Sequence, residues 1–424
     1  MKTDVQTTPE EAVGTRSPSR ASIIFLVITA FLATMGFGII SPVMPFIVQR
    51  YVGTNNLALA VGWLTSVYAV CQLIAAPALG KLSDRYGRRP LLLICLLGSA
   101  AGYALLGLGG ALWMLLLGRI IDGLTGGNFS ILFAYVADIT EPKARGRFFG
   151  LFGGAAGLGL IIGPVIGGYA ARLGYSAPLF LAAAITLLNI LWGLFNLPES
   201  LRAQDRIGSI RLPELNPFTQ LRDVFAVSHL RWLLLVLFLY ALPFSILTST
   251  ATVLLKDSLS WNADTIGLMF LIVGTVDIIT QGGLVALLMP RLGEFAMTVA
   301  GLMCEVAGYI LTGAVALFHM PLLVIAGFVL FALGGGLAEP AMRGLLADVA
   351  GSKKQGVVQG GAQSLQSLGM IFGPIIGGEL YVQMGPFTPY LVAASLALLG
   401  IITVFLALPS IITYRGRDGR EAQH

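Results

Sequence analysis

An all-helical membrane protein, with twelve transmembrane helices in two six-helix pseudo-repeats, is the fold this sequence predicts. Composition is the first reason. Of 424 residues, 56% are hydrophobic and 11% charged, with a mean hydropathy of +0.85; a soluble protein carries roughly 25% charged residues. The second is a repeat. Gly159-Leu-Ile-Ile-Gly163-Pro164-Val-Ile-Gly167-Gly168 returns as Gly369-Met-Ile-Phe-Gly373-Pro374-Ile-Ile-Gly377-Gly378, an offset of 369 − 159 = 210 residues. The flanks keep the offset: Ala137-Asp138 answers Ala347-Asp348, and Lys143, Gly146 and Gly150 answer Lys353, Gly356 and Gly360. A fixed period marks a duplicated unit, and duplicated halves in an apolar chain mark a transporter. The third reason is the alternation of basic residues between loops.

In chain order, residues 1–20 are polar and lack an apolar core with a cleavage site, so they read as a disordered cytoplasmic tail and not a signal peptide. A spanning helix needs about 20 mainly apolar residues. Spans are predicted at 21–47, 57–80, 90–108, 111–137, 148–171 and 177–197, forming an N-terminal bundle over 21–197. A linker, 198–230, opens with Pro198-Glu199-Ser200; within it, residues 212–226 alternate apolar and charged positions at near-helical spacing. That pattern predicts a short helix on the membrane surface, a plain solvated linker being the alternative. Spans at 232–255, 265–289, 295–317, 321–345, 356–384 and 388–413 form a C-terminal bundle over 231–414, followed by a tail, 415–424.

All Lys and Arg except Arg50, Arg119, Arg172 and Lys256 fall on the side that carries both termini. Basic loops stay cytoplasmic, which predicts cytoplasmic termini in a cell's inner (plasma) membrane. The net charge of +5 sits in these loops and gives no reason to expect a nucleic-acid partner. Cys71, Cys95 and Cys304 lie in apolar runs, and no spacing suggests a disulfide or a metal site. No phosphate-binding G-x-x-x-x-G-K-[ST] loop is present, nor a Ser–His–Asp set. An enzyme is not expected, and neither is a cofactor.

Glycines four apart line one helix face and admit a close neighbour, while proline removes a donor and bends the helix. The repeated stretch therefore reads as a paired helix-bend motif: Gly159, Gly163, Pro164, Gly167 and Gly168, with Gly369, Gly373, Pro374, Gly377 and Gly378. Helix packing alone is the alternative. After the second span comes Gly80-Lys81-Leu82-Ser83-Asp84-Arg85-Tyr86-Gly87-Arg88-Arg89-Pro90, echoed by Met289-Pro-Arg291-Leu-Gly293-Glu294 after the eighth. The fourth span reads Leu117-Gly118-Arg119-Ile-Ile-Asp122-Gly123-Leu-Thr125-Gly126-Gly127.

The loop G-x-L-x-D-R-x-G-R-R resembles the signature loop of the major facilitator superfamily, and the fourth span its second motif, with a buried arginine. The proline-glycine stretch is similar to the motif of the superfamily's antiporters. Over nearly the whole chain the resemblance is to the tetracycline-efflux-like branch of the drug:proton antiporters. Shared-looking stretches include Ala111-Leu-Trp-Met-Leu115, Pro198-Glu-Ser200 and Ser260-Trp261-Asn262. The resemblance implies two rocking bundles around one midplane cavity. It also implies a cytoplasmic gate in which Asp84 meets the amino end of the eleventh span, where a carboxylate is favoured. Gly80, Gly87, Arg85, Arg88 and Asp138 would complete that gate. Two departures stand out: tetracycline members have an aspartate where this chain has Ala33, and another where it has Gly102.

An ionisable side chain at bilayer depth is costly and usually functional. Arg119 and Asp122, three apart, are within pairing range; proton coupling is the functional reading, a structural ion pair the other. Asp277 in the eighth span and Glu305 in the ninth are further proton-coupling candidates, and Glu339 with Arg343 an inner-gate pair. Candidate substrate contacts are Asn128, Tyr240, Thr248, Gln281, Gln359 and Gln363, interhelical hydrogen bonding being the alternative for each. An apolar cavity with scattered amides suits an amphipathic, drug-like molecule. The expectation is therefore proton-coupled efflux by a monomer in the bilayer, with protons and a small molecule as partners. A facilitator or importer of a small metabolite, and a non-transporting receptor, are the rivals.

Overall fold

The computed structural model describes residues 20–140, 145–208, 230–350 and 355–421. The predicted N-terminal tail and the predicted surface helix at 212–226 lie outside the described residues. Among the described residues the regular elements are helices. The first span, Arg20–Ile40, is followed by a short helix, Met44–Val48. Then come Leu57–Tyr86, Arg88–Leu108, a fourth span split into Leu112–Thr125 and Asn128–Ile139, Arg145–Ala170 and Ala177–Asn196. The second half holds Arg231–Leu259, then Ala263–Ile279, which passes through a π-helical turn at Thr280–Leu284 into Val285–Phe318. That last helix reverses at Gly293 (φ 74°, ψ 166°) and so supplies the end of the eighth span and the ninth. Pro321–Ala350, Gln355–Met384 and Thr388–Glu421 complete twelve spans.

Several helices outrun their predicted bounds. The second continues to Tyr86, the tenth to Ala350, and the twelfth to Glu421, so residues 415–421 are helical where a tail was expected. Hydropathy reports only the length immersed in hydrocarbon, whereas hydrogen bonding carries a helix on into water.

The repeat recurs in the packing. A methyl group at Gly163 would meet the Met35 carbonyl at 2.5 Å, and one at Gly373 would meet Ser245 Cβ at 2.6 Å. Gly159 abuts Phe31 and Gly369 abuts Ala241. Met35 and Ser245, like Phe31 and Ala241, are again 210 apart, so the first and fifth spans pack as the seventh and eleventh do. The last glycine of each copy faces the opposite bundle. Gly168 lies against Ala263 and Asp264, and Gly378 against Ala58 and Leu59. Pro164 likewise approaches Gly267, and Pro374 approaches Gly62. The motif is thus a two-sided packing surface, cementing its own bundle with one edge and touching the other bundle with the next.

These cross-bundle contacts lie in the half of the molecule away from the termini. An apolar cluster there joins Met44, Ile47, Leu57 and Val61 to Val253 and Ala263 of the other bundle. Arg172 binds Asp264 at 2.7 Å, and Lys256 sits 5.7 Å over the Phe46 ring. In the half nearer the termini the same spans stand apart. Gly146, Gly150, Gly153, Gly154 and Gly157 of the fifth span, and Gly282 and Gly283 of the eighth, have no atom of a neighbour within 4 Å of where a side chain would start. Among the described residues the structure is sealed on the far side and parted on the termini side.

Candidate transport cavity and charge clusters

The parted bundles leave a cavity of about 200 Å³ near mid-depth. Ala33, Thr34 and Phe37 of the first span line it, with Tyr68 and Gln72 of the second, Asp122 and Asn128 of the fourth, Asn189 of the sixth, and Ser245 and Thr248 of the seventh. Its roof is marked by a cross-bundle bond, Ser66 Oγ donating to the Ile371 carbonyl at 2.6 Å.

Asp122 and Arg119 are 3% and 2% exposed, and one guanidinium nitrogen stands 3.5 Å from the carboxylate. Arg119 also donates to the Leu64 carbonyl at 3.3 Å and lies 4.2 Å from the centre of the Tyr68 ring, which shares the cation. Just beyond, the fourth span breaks at Gly126-Gly127. Gln72 donates to the freed Gly126 carbonyl at 3.1 Å and to the Tyr68 hydroxyl at 3.2 Å. Only glycine fits at Gly127, because a side chain there would meet Ala76 Cα at 2.9 Å. Gly102 is equally crowded, with Asp122 Cβ and the Gly118 carbonyl both 2.8 Å from its missing methyl. Asp122 therefore occupies the space toward which a third-span side chain at 102 would point.

The C-terminal bundle holds a second set of charges. Asp277 accepts from Gln281 at 2.9 Å on both oxygens, just ahead of the π-helical turn. Such turns interrupt a helix chiefly where function requires it. Glu339 accepts from Arg343 at 2.9 Å, and Arg343 reaches Gln366 at 3.4 Å. Glu305 is 0% exposed, and neither carboxylate oxygen has a hydrogen bond of good geometry, although the Tyr309 hydroxyl borders it. Gly335 of the tenth span leaves the gap into which Glu305 and the Tyr240 hydroxyl project.

On the termini side, Arg88 gathers the signature loop. It binds Asp84 at 2.5 Å and Asp138 at 3.1 Å, and Ser200 donates to Asp138 at 2.9 Å. Glu199 accepts from the backbone amides of Arg88 at 2.8 Å and Arg89 at 3.3 Å, capping the amino end of the third span. Gly87 has φ 107°, and Glu199 fills the space where its side chain would be. The acid observed on a helix end is thus Glu199 on the third span. Asp84 pairs instead with Arg88, and the start of the eleventh span that it was expected to meet includes residues 351–354, outside the described residues. Among the described residues these contacts stay within the N-terminal half and its Pro198-Glu199-Ser200 exit. Arg85 is exposed and stacks on Tyr86 at 5.3 Å. Gly80 crosses near Ser130.

Of the predicted substrate contacts, Asn128 and Thr248 line the cavity. Tyr240 is a correction: it is packed inside the C-terminal bundle, next to Glu305. Gln281 is occupied by Asp277, Gln363 is exposed, and the Gln359 side chain lies outside the described residues. Glu339 and Arg343 pair within one span and do not bridge the bundles as an inner gate would. Sequence reasoning missed Tyr68 and Gln72. Their signal was available: two polar side chains one turn apart in the otherwise apolar stretch 67–80.

Twelve spans, a midplane cavity and matched bundles define a secondary transporter, and comparison with known proteins agrees. The model of the Major Facilitator Superfamily matches residues 26–314 and 302–423, and the chain belongs to that family. It is 34% identical to the class E tetracycline resistance protein of Escherichia coli, over 85% of this chain and 88% of that protein. It is 29% identical to multidrug resistance protein 2 of Bacillus subtilis (strain 168), over 91% and 95%. Among solved structures, the human organic anion transporter MFSD10 (TETRAN) is 25% identical, with a TM-score of 0.68, over 92% of this chain and 100% of that one. A bacterial homologue of the human lysosomal transporter Spinster shares the fold, with a TM-score of 0.74 at 13% identity over 94% and 99%. The chain is a multi-pass integral membrane protein of that superfamily.

Proposed function

We propose that this protein exports amphipathic, drug-like compounds in exchange for protons, by alternating access between two bundles over 21–197 and 231–414, as a monomer in the plasma membrane. Asp122 carries the reading: a buried carboxylate on the cavity wall, held beside Arg119. A carboxylate cut off from water favours its neutral form, and a neighbouring cation favours the ionised one. A group balanced between the two responds to a small change in its surroundings. Substrate entering beside it favours the ionised form, so proton and substrate exclude one another. With cytoplasmic termini, as the basic loops suggest, the parted side is the loading side. The Arg88 cluster then belongs to the cytoplasmic gate, with Asp277 and Glu305 as further proton carriers.

A drug-sized ligand takes roughly 300 Å³ or more, so the enclosed part of the cavity would hold a portion of one and leave the rest in the opening. Several relatives are named for tetracycline resistance. Here Ala33 stands on the cavity wall, at the position where the resemblance to tetracycline-efflux members implies an aspartate. The reading is therefore drawn for amphipathic compounds broadly. The test is uptake of a dye panel into everted vesicles, with and without an imposed pH gradient. Uptake driven by the gradient is expected; uptake indifferent to it makes the protein a facilitator.

A further inference from the structure

Three polar side chains on the ninth span remain unexplained by the cavity. Glu305, Tyr309 and Thr312 lie at i, i+4 and i+7, on one helix face. Each residue is 0% exposed; the Tyr309 hydroxyl borders the Glu305 carboxylate without a hydrogen bond of good geometry, and Thr312 Oγ1 has no hydrogen-bond partner among the described residues. One buried orphan costs about 1–3 kcal/mol, and native proteins hold few of them. Buried groups short of partners are ordinarily met by buried water, each molecule making about three hydrogen bonds.

The seam beside them is built from glycine. Gly327, Gly334 and Gly335 of the tenth span face Thr312, Glu305 and the Glu305 carboxylate in turn. Seven residues of helix carry the row about 10 Å away from Glu305 toward the far side. There Gly313 abuts Tyr390, whose hydroxyl lies 3.2 Å from Thr250 Oγ1. On the side of the seventh span, Glu305 and the Tyr240 hydroxyl meet over Gly335.

We propose that Glu305, Tyr309 and Thr312 hold a short file of water inside the C-terminal bundle, and that this file delivers protons from the far side to Glu305. The route does not need the far-side gate between the bundles to open. Each transfer is a hop between water and hydroxyl oxygens, and it ends with one carboxylate converted to one carboxylic acid. The proposal rests on Glu305 carrying a proton in the coupled cycle. Tyr240 of the seventh span, Asp277 of the eighth, Cys304 and Tyr309 of the ninth, and Glu339 with Arg343 of the tenth are the titratable and charged groups around it.

The experiment is time-resolved infrared spectroscopy of the protein in liposomes after an acid jump, with the proton itself as the probe. The band of protonated Glu305 is identified by its loss in Glu305→Gln. Tyr309→Phe and Thr312→Val are each expected to slow its appearance about tenfold, on the scale of one missing hydrogen-bonded relay. Thr312→Ser, which keeps the hydroxyl, is expected to restore the rate, and Tyr240→Phe to leave it unchanged. Wild-type rates in Tyr309→Phe and Thr312→Val, with slowing in Tyr240→Phe, would mean that protons arrive through the cavity and would overturn the file. If Glu305→Gln removes no band, Glu305 is not a proton carrier, and the fault lies in that earlier reading.

Discussion

In the N-terminal bundle the buried carboxylate lies against a cation: Asp122 faces Arg119, which is shared in turn with the Leu64 carbonyl and the Tyr68 ring. It also lines the cavity. In the C-terminal bundle Glu305 has no cation against it and no hydrogen bond of good geometry; it is fully buried near the Tyr309 and Tyr240 hydroxyls and does not line that cavity. Two halves with the same helix packing have thus placed their acids in opposite settings. The first can sense a substrate directly, because entry changes the field around an existing ion pair. The second can only hold or pass a proton. A coupled machine needs both actions, and the duplicated scaffold has let them separate.

Neutralising each acid tests that contrast most sharply. Asp122→Asn is expected to abolish gradient-driven efflux, a loss of about a hundredfold or more, while downhill substrate exchange continues. It also strands Arg119. Losing one partner of a buried pair costs about 3–5 kcal/mol, so yield and thermal stability are expected to fall. Glu305→Gln strands no charge, and is expected to reduce efflux by about tenfold at unchanged or higher stability. Thermal melts beside proton release on substrate addition to purified protein separate the two. Normal proton release by Asp122→Asn protein, with only its yield reduced, would leave the pair a structural one.

Next in size are the shared contacts. Gly163→Leu and Gly373→Leu force a side chain into spaces already filled by Met35 and Ser245, and overpacking of this kind costs about 1–3 kcal/mol or more. Both are expected to lose assembly or transport, whereas Gly153→Leu, which meets nothing within 4 Å, is expected to be tolerated. Unequal damage at the two motif positions would mean that the halves do not share their load. The smallest effect belongs to the far-side latch. The Arg172 side chain is 61% exposed, and pairs of that kind are worth about 0–1 kcal/mol. Arg172→Gln is expected to raise far-side cysteine labelling by a few-fold at most and to leave efflux within about twofold of wild type. A larger change would make this pair a principal lock on the closed side.

The departures of this chain are as instructive as its matches. The absence of an acid at Gly102 reads in the sequence as a missing proton site. In the structure Asp122 points into the very space a side chain at 102 would need, so a carboxylate stands there on the adjacent helix. A linear comparison treats positions 102 and 122 as unrelated, and only helix packing makes them alternatives. Tyr240 failed in the other direction. As a polar residue in the seventh span it looked like a cavity contact, but helical rotation turns it inward against Gly335. Periodicity states which residues share a face; it does not state toward what the face is turned.

What the sequence determined by itself was the number of spans, their pairing into two halves, and the membrane they need. Those follow from local composition, from the 210-residue repeat, and from the loop placement of Lys and Arg, each of which is written along the chain. Even the ion pair of Arg119 with Asp122 was legible, because three residues of helix set its geometry. What only the tertiary structure decided was which side is sealed, that Asp122 lines the cavity while Glu305 is buried away from it, and that Glu199 caps the third span. Each of these depends on how separate helices rotate and tilt against one another. Apolar helices in lipid set those angles by the close packing of small residues and a few polar contacts; the glycine spacing shows that a close neighbour is admitted but not which helix it is or at what rotation it packs.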